Sequence, residues 1–274
     1  MSKSNKRIHF MILAAGLCLA VVLSLLPLDG SATVSAVQDM RGVWDGFIQT
    51  AGEPPVPIRT EITGQENRRF TGIVAWGEPH VIEGTVSASG KVNYQGQSAD
   101  SRIVGKYDLL DFGGGAAILN GSLTRSSKDG RFIVPCVLVM RSFAAEPSGT
   151  VVPNPAGRYD GTLGSGDGTT GRITMVLGSP SDPVRPESFD GSLEIVLNGQ
   201  THTFQLLGTV NSSGRIIAIA HKAAAGHLIL DAVLQAPPDP VQPATLNGGF
   251  TLEFGDGSEL EGFFQTVLTR PNVS

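Results

Sequence analysis

Beyond residue 36 the chain alternates apolar and polar positions with a period of two, the spacing of half-buried β-strands. Lys91-Val92-Asn93-Tyr94-Gln95-Gly96 puts Val92, Tyr94 and Gly96 on one face and polar side chains on the other. Residues 68–76 and 80–86 read the same way. Strand signals of this kind recur every 8–14 residues, punctuated by Gly, Pro, Asn and Ser. Ser87-Ala88-Ser89-Gly90 and Asn211-Ser212-Ser213-Gly214 predict hairpins whose turns end on a Gly at positive φ. The Pro-rich stretches 51–57, 179–186 and 236–243 read as loops, because Pro cannot donate to a strand ladder. No segment after residue 36 carries an apolar stripe of helical period and length; the nearest, His221 to His227, is short, contains Gly226 and reads as a turn.

The pattern occurs twice. Gly42-Val43-Trp44-Asp45-Gly46 matches Gly157-Arg158-Tyr159-Asp160-Gly161 at an offset of 115. Phe70-Thr71-Gly72 matches Phe189-Asp190-Gly191 at 119, and Gly84–Gly90 matches Gly208–Gly214 at 124. Val139-Met140-Arg141 matches Leu268-Thr269-Arg270 at 129. Colinear anchors with slowly growing offsets predict one domain used twice, the second copy having longer loops. The predicted organisation is a first repeat over 37–142, a Pro-rich linker over 143–155 and a second repeat over 156–274. Each repeat holds about eight strands.

Eight antiparallel strands dispose of their edges by closing into an up-and-down barrel, the alternative being a sandwich. Each copy opens on Gly-x-aromatic (Gly42-Val43-Trp44, Gly157-Arg158-Tyr159) and ends on an Arg (Arg141, Arg270). This resembles the calycin barrels, the lipocalin and avidin types. The resemblance implies an all-β chain of two tandem homologous antiparallel barrels. It further implies that Trp44 closes the first barrel beneath Arg141 and Tyr159 closes the second beneath Arg270. Trp76 and Tyr94 are the aromatic candidates to line a ligand-binding interior, with plain core packing as the other role.

Composition narrows the class. The chain has 274 residues with 35 Gly and 17 Pro, and only 16% are charged, against a usual ~25%. The Gly has no three-residue period, which excludes collagen. A hydrophobic fraction of 41% excludes wholesale disorder. Lys3, Lys6 and Arg7 precede a nearly continuous apolar run over 8–28, and small residues follow up to Ala36. Residues 1–36 therefore read as a signal peptide cleaved after Ala36, or as an uncleaved anchor through 8–28. The expected address is secreted or periplasmic, with a membrane as partner only through that segment. The formal net charge is −5; without Lys3, Lys6, Arg7 and Asp29 it becomes −7, which argues against nucleic acid as a partner. Cys136 is then the lone cysteine, so no intrachain disulfide forms, and its neighbours make it read as a small buried hydrophobe.

Chemistry is sparse. His80, His202, His221 and His227 read as solvated turn residues, with His221 and His227 able to face one another across a hairpin. Nothing pairs them into a recognised metal motif, and no metal or cofactor is expected. Gly164–Gly171 reads as a hairpin tip rather than a phosphate or calcium loop. There is no Gly-x-Ser-x-Gly and no spaced carboxylate pair, so the chain is not expected to be an enzyme. Asn120, Asn211 and Asn272 head Asn-x-Ser patterns. The reading reached is an exported, non-catalytic barrel protein that binds a small apolar or amphipathic ligand. The alternative is a structural or interaction module with filled barrels and no ligand.

Overall fold

The structure, a computed structural model, describes residues 38–49, 55–145, 147, 149–179, 187–222, 226–236, 242–254 and 258–271. The leader over 1–36, Asn272, and most of the Pro-rich loops lie outside the described residues. Those described form strands and turns only, with no helix among them.

The first repeat gives β1 (Gly42–Gln49), β2 (Val56–Glu66), β3 (Arg69–Trp76), β4 (Glu78–Val86), β5 (Lys91–Gln97), β6 (Ser101–Gly113), β7 (Ala116–Ser127) and β8 (Gly130–Arg141). The second gives β9 (Gly157–Ser165), β10 (Thr170–Leu177), β11 (Ser188–Leu197) and β12 (Gln200–Val210). It continues with β13 (Arg215–Lys222), β14 (Gly226–Gln235), β15 (Thr245–Glu253) and β16 (Glu259–Pro271). Each set is an antiparallel meander that closes on itself, β1 pairing with β8 and β9 with β16. The chain is thus two tandem closed eight-stranded barrels, the architecture the periodicity predicts.

The alternation fills the interiors. Along β5, Val92, Tyr94 and Gly96 point inward and the residues between them face out. Phe70, Ile82, Tyr94, Ile103 and Tyr107 pack inside the first barrel, and Phe189, Leu193, Phe204, Phe250 and Phe264 inside the second. Apolar-in, polar-out is the reverse of the order in a membrane-spanning barrel.

The repeat extends to atomic detail. The Phe70 ring occupies the space beside Gly84 that a side chain would fill, and Phe189 does the same beside Gly208. Gly90 and Gly214 end their turns at φ +77° and +79°. Each accepts a hydrogen bond of 2.8 Å at its carbonyl, from the Leu109 and Leu234 amides. Trp44 Nε1 donates to the carbonyl four residues before it (Met40, 3.0 Å), and the Tyr159 hydroxyl does likewise (Pro155, 2.9 Å).

The barrels belong to one compact unit and share a seam. Strands β1, β7 and β8 carry continuous buried runs (Ala116–Leu119 and Val137–Met140 among them) because their outer faces are covered as well. There Phe47, Ile118, Leu138 and Phe143 pack with Ile217 and Ile219 of β13. Hydrogen bonds cross the same boundary: Arg215 Nη1 to the Phe112 carbonyl (2.5 Å), Ser142 Oγ with Ser188 Oγ (2.8 Å), and the Phe143 amide to Thr209 Oγ1 (3.3 Å).

Candidate functional site

The first barrel is stoppered at both ends. At one end Trp44 is fully buried, and the Arg141 guanidinium carbon stands 4.9 Å from its ring centroid. Arg141 also donates to the backbone carbonyls of Gly115 (2.7 Å), Asp39 (2.5 Å) and Arg41 (3.1 Å). At the other end Trp76 keeps the inward phase of β3 but sits half-buried in the mouth. Arg125 lies 5.5 Å from its centroid and Phe132 packs against it at 6.3 Å. A cation over an aromatic face contributes ~0.5–2 kcal/mol and leaves the charge reachable by water or carbonyls.

Beneath Trp76, Arg125 Nη2 meets Glu78 Oε1 at 2.8 Å, and Ser101 Oγ stands 2.7 Å from both Glu78 Oε1 and His80 Nε2. Burial pushes His80 below its ordinary pKa, while hydrogen bonds, first from Ser101, hold Glu78 low. The order is wrong for a serine relay, since the carboxylate meets the serine and a backbone carbonyl holds the far imidazole nitrogen (3.0 Å). These groups brace the mouth.

Tyr94 lies inside, stacked on Tyr107 at 5.4 Å with their hydroxyls 2.8 Å apart, so it is packed into the barrel core. In the second barrel the expected closure fails. Along the β9–β16 ladder Leu268, not Arg270, lies opposite Tyr159, and after the register shift between Leu268 and Arg270 the arginine pairs with Arg158. Arg270 is exposed and does not cover Tyr159.

Two open concavities take residues from both barrels. One groove of about 530 Å³ has an apolar floor of Phe47, Pro57, Met140 and Leu207, with Asp45, Arg59 and Asp190 at its margins. A second, of about 540 Å³, is polar, and Cys136, His227, Glu253 and Asn120 line it. His80, His221 and His227 are buried rather than solvated, and Cys136 is half-buried with a polar neighbour, His227 Nδ1 at 3.4 Å. His227 sits across the β13–β14 hairpin from His221, ring centroids 6.0 Å apart. His221 Nδ1 meets Gln49 Oε1 at 3.0 Å, while its buried Nε2 has no partner among the described atoms. For Cys136, His221 and His227 the signal missed was outward: they occupy the outer phase of β8, β13 and β14, which is buried only because the other barrel covers it, whereas His80 keeps the inward phase of β4. Among the described residues no group of three His, Cys, Asp or Glu side chains is disposed to hold a metal ion.

Burial, and then the neighbouring His227, push the His221 imidazole down from the ordinary 6.5 to about 3. The unfolded chain therefore binds a proton near pH 6.5 that the folded chain refuses until about 3. Stability is expected to fall as pH drops through that window, by roughly 2–4 kcal/mol from this group. Urea midpoints of His221→Gln between pH 7 and 4 should show a visibly flatter loss than the parent chain; parallel curves would remove His221 as the cause.

No protein-family model matches the chain, and no curated protein matches it. Among solved structures, a protein of unknown function from the DUF3598 family of Nostoc punctiforme PCC 73102 aligns with 85% of this chain and 96% of its own, at 12% identity and a TM-score of 0.21. What stands is the architecture itself: two closed eight-stranded antiparallel barrels, the shape that the calycin resemblance implies.

Proposed function

We propose that the protein is an exported, non-catalytic module whose barrels are packed scaffolds and which acts through its outer surface in an envelope or extracellular assembly. The observation that carries this reading is the double stopper: Trp44 under Arg141 and Trp76 under Arg125 seal a first barrel already full of side chains. A guest inside it would have to displace Tyr94, Tyr107 and their neighbours from close packing. The test is a native mass spectrum of the protein purified from its source. The expected mass is that of a chain beginning at Val37 with no small-molecule adduct. A stoichiometric organic adduct would overturn the ligand-free reading.

The apolar floor of the first seam groove favours a second reading, in which a small amphipathic molecule rests outside the barrels on Phe47, Met140 and Leu207. Should an adduct be found, Leu207→Trp separates the cases. Filling the groove removes a ligand held there and leaves an interior one in place.

A further inference from the structure

The scaffold reading leaves one cluster without a task. Cys136 Sγ, His227 and Glu253 come from β8, β14 and β15, so two barrels are needed to bring them together. His227 Nδ1 faces the thiol at 3.4 Å, and Nε2 faces Glu253 Oε2 at 3.4 Å and the Asn120 amide at 3.2 Å. Two groups meet Nε2, the Asn120 amide nitrogen, which only donates, and the Glu253 carboxylate, which only accepts; in the tautomer that the carboxylate favours, Nε2 carries the ring proton and Nδ1 offers its lone pair to the S–H. Nucleophile, base and orienting acid thus stand in sequence along one polar groove. Behind them the buried Nε2 of His221 has no partner among the described atoms. The groove walls are of mixed charge, Lys106 and an ion-paired Lys91–Asp108 facing Glu253. That lining suits a small zwitterionic or charged molecule better than an apolar one.

We propose that Cys136 is a covalent modification site at which a small polar disulfide is captured by base-assisted thiol–disulfide exchange. Sγ attacks one sulfur of the disulfide, the new S–S bond forms as the old one breaks, and the second sulfur leaves as a thiolate. His227 Nδ1 takes the thiol proton and passes it to that thiolate. Cys136 is oxidised to the mixed disulfide, the released half is reduced to a thiol, and no further oxidant is required. The step needs room beyond the sulfur, which the groove supplies.

The environment makes the test sharp. Burial first, and then the Glu253 charge, push the Cys136 thiol up to about 12. Unaided, it would be almost wholly protonated at neutral pH and inert. The full chain is mixed with the chromogenic dianionic disulfide DTNB from pH 5 to 9, and in parallel with oxidised glutathione followed by mass. One equivalent is expected to react per chain, and Cys136→Ser should abolish it. His227→Gln is expected to slow it by about 10²-fold or more, with near-ultraviolet circular dichroism confirming that the fold is kept. Glu253→Gln, at a half-exposed side chain, serves if that variant does not fold. Removing the carboxylate lowers the His227 pKa further, so the acid-side fall in rate should move to lower pH. Reaction only after denaturation would overturn the proposal. So would rates and pH profiles unchanged by both His227→Gln and Glu253→Gln.

Discussion

Trp44→Ala is expected to destabilise the chain by about 3–5 kcal/mol, the usual cost of deleting a fully buried large aromatic. The loss compounds three things. The cavity is large, the Met40 carbonyl loses its donor, and Arg141 loses the ring beneath its guanidinium. In a unit of this size the melting temperature should drop by roughly 10 °C. Arg270→Ala is the matched control. It stands at the repeat-equivalent position of Arg141 yet is exposed beyond a register shift, so its cost should stay within ~0.5 kcal/mol. Thermal and urea melts of both variants decide the matter. A Trp44→Ala loss below about 1 kcal/mol would mean that this residue does not close the barrel.

The second large effect belongs to a pair of glycines at equivalent places on the closing strands. A Cβ on Gly46 of β1 would lie 2.0 Å from the Leu138 carbonyl oxygen of β8. A Cβ on Gly161 of β9 would lie 1.9 Å from that of Gln265 on β16. The obstacle is ladder backbone, so nothing can rotate aside and the strands themselves must part. Gly46→Ala and Gly161→Ala should each cost about 3 kcal/mol, the upper end for overpacking by one methyl. They should also speed hydrogen exchange along the β1–β8 or β9–β16 ladder. Gly164→Ala, on the same β9 strand, meets only the Thr169 oxygen at 4.0 Å and should be nearly neutral. Equal effects at Gly161 and Gly164 would show that backbone proximity is not the cause.

Much of this architecture was legible in residue order, for a physical reason. Strand periodicity and turn chemistry are local, so Val92-Asn93-Tyr94 and the turn ending at Gly90 announce themselves without knowledge of what lies across the sheet. The repeat was legible because identical local problems were solved twice by the same residues, as at Phe70 over Gly84 and Phe189 over Gly208. The Trp44–Arg141 closure is non-local; its residues were pointed out by family resemblance and are brought together by the β1–β8 pairing. The same resemblance misplaced Arg270, because the register of a ladder carries no sequence signature, and here β16 pairs with β9 so that Leu268 meets Tyr159. Cys136, His221 and His227 were misread for a further reason. An outward position on a strand looks solvated unless one knows that another barrel lies against it.

The seam also fixes what the chain can become. A duplicated domain ordinarily keeps the freedom to be recut, with one copy lost, shuffled or joined to something else. Here Phe143, at the exit from the first barrel, is packed with Ile217 and Ile219 of the second, and Arg215 holds the Phe112 carbonyl across the boundary. A solitary copy would present that apolar face bare to water. Duplication has turned two modules into one indivisible piece, and the smallest part that can be inherited, expressed or exchanged is the pair.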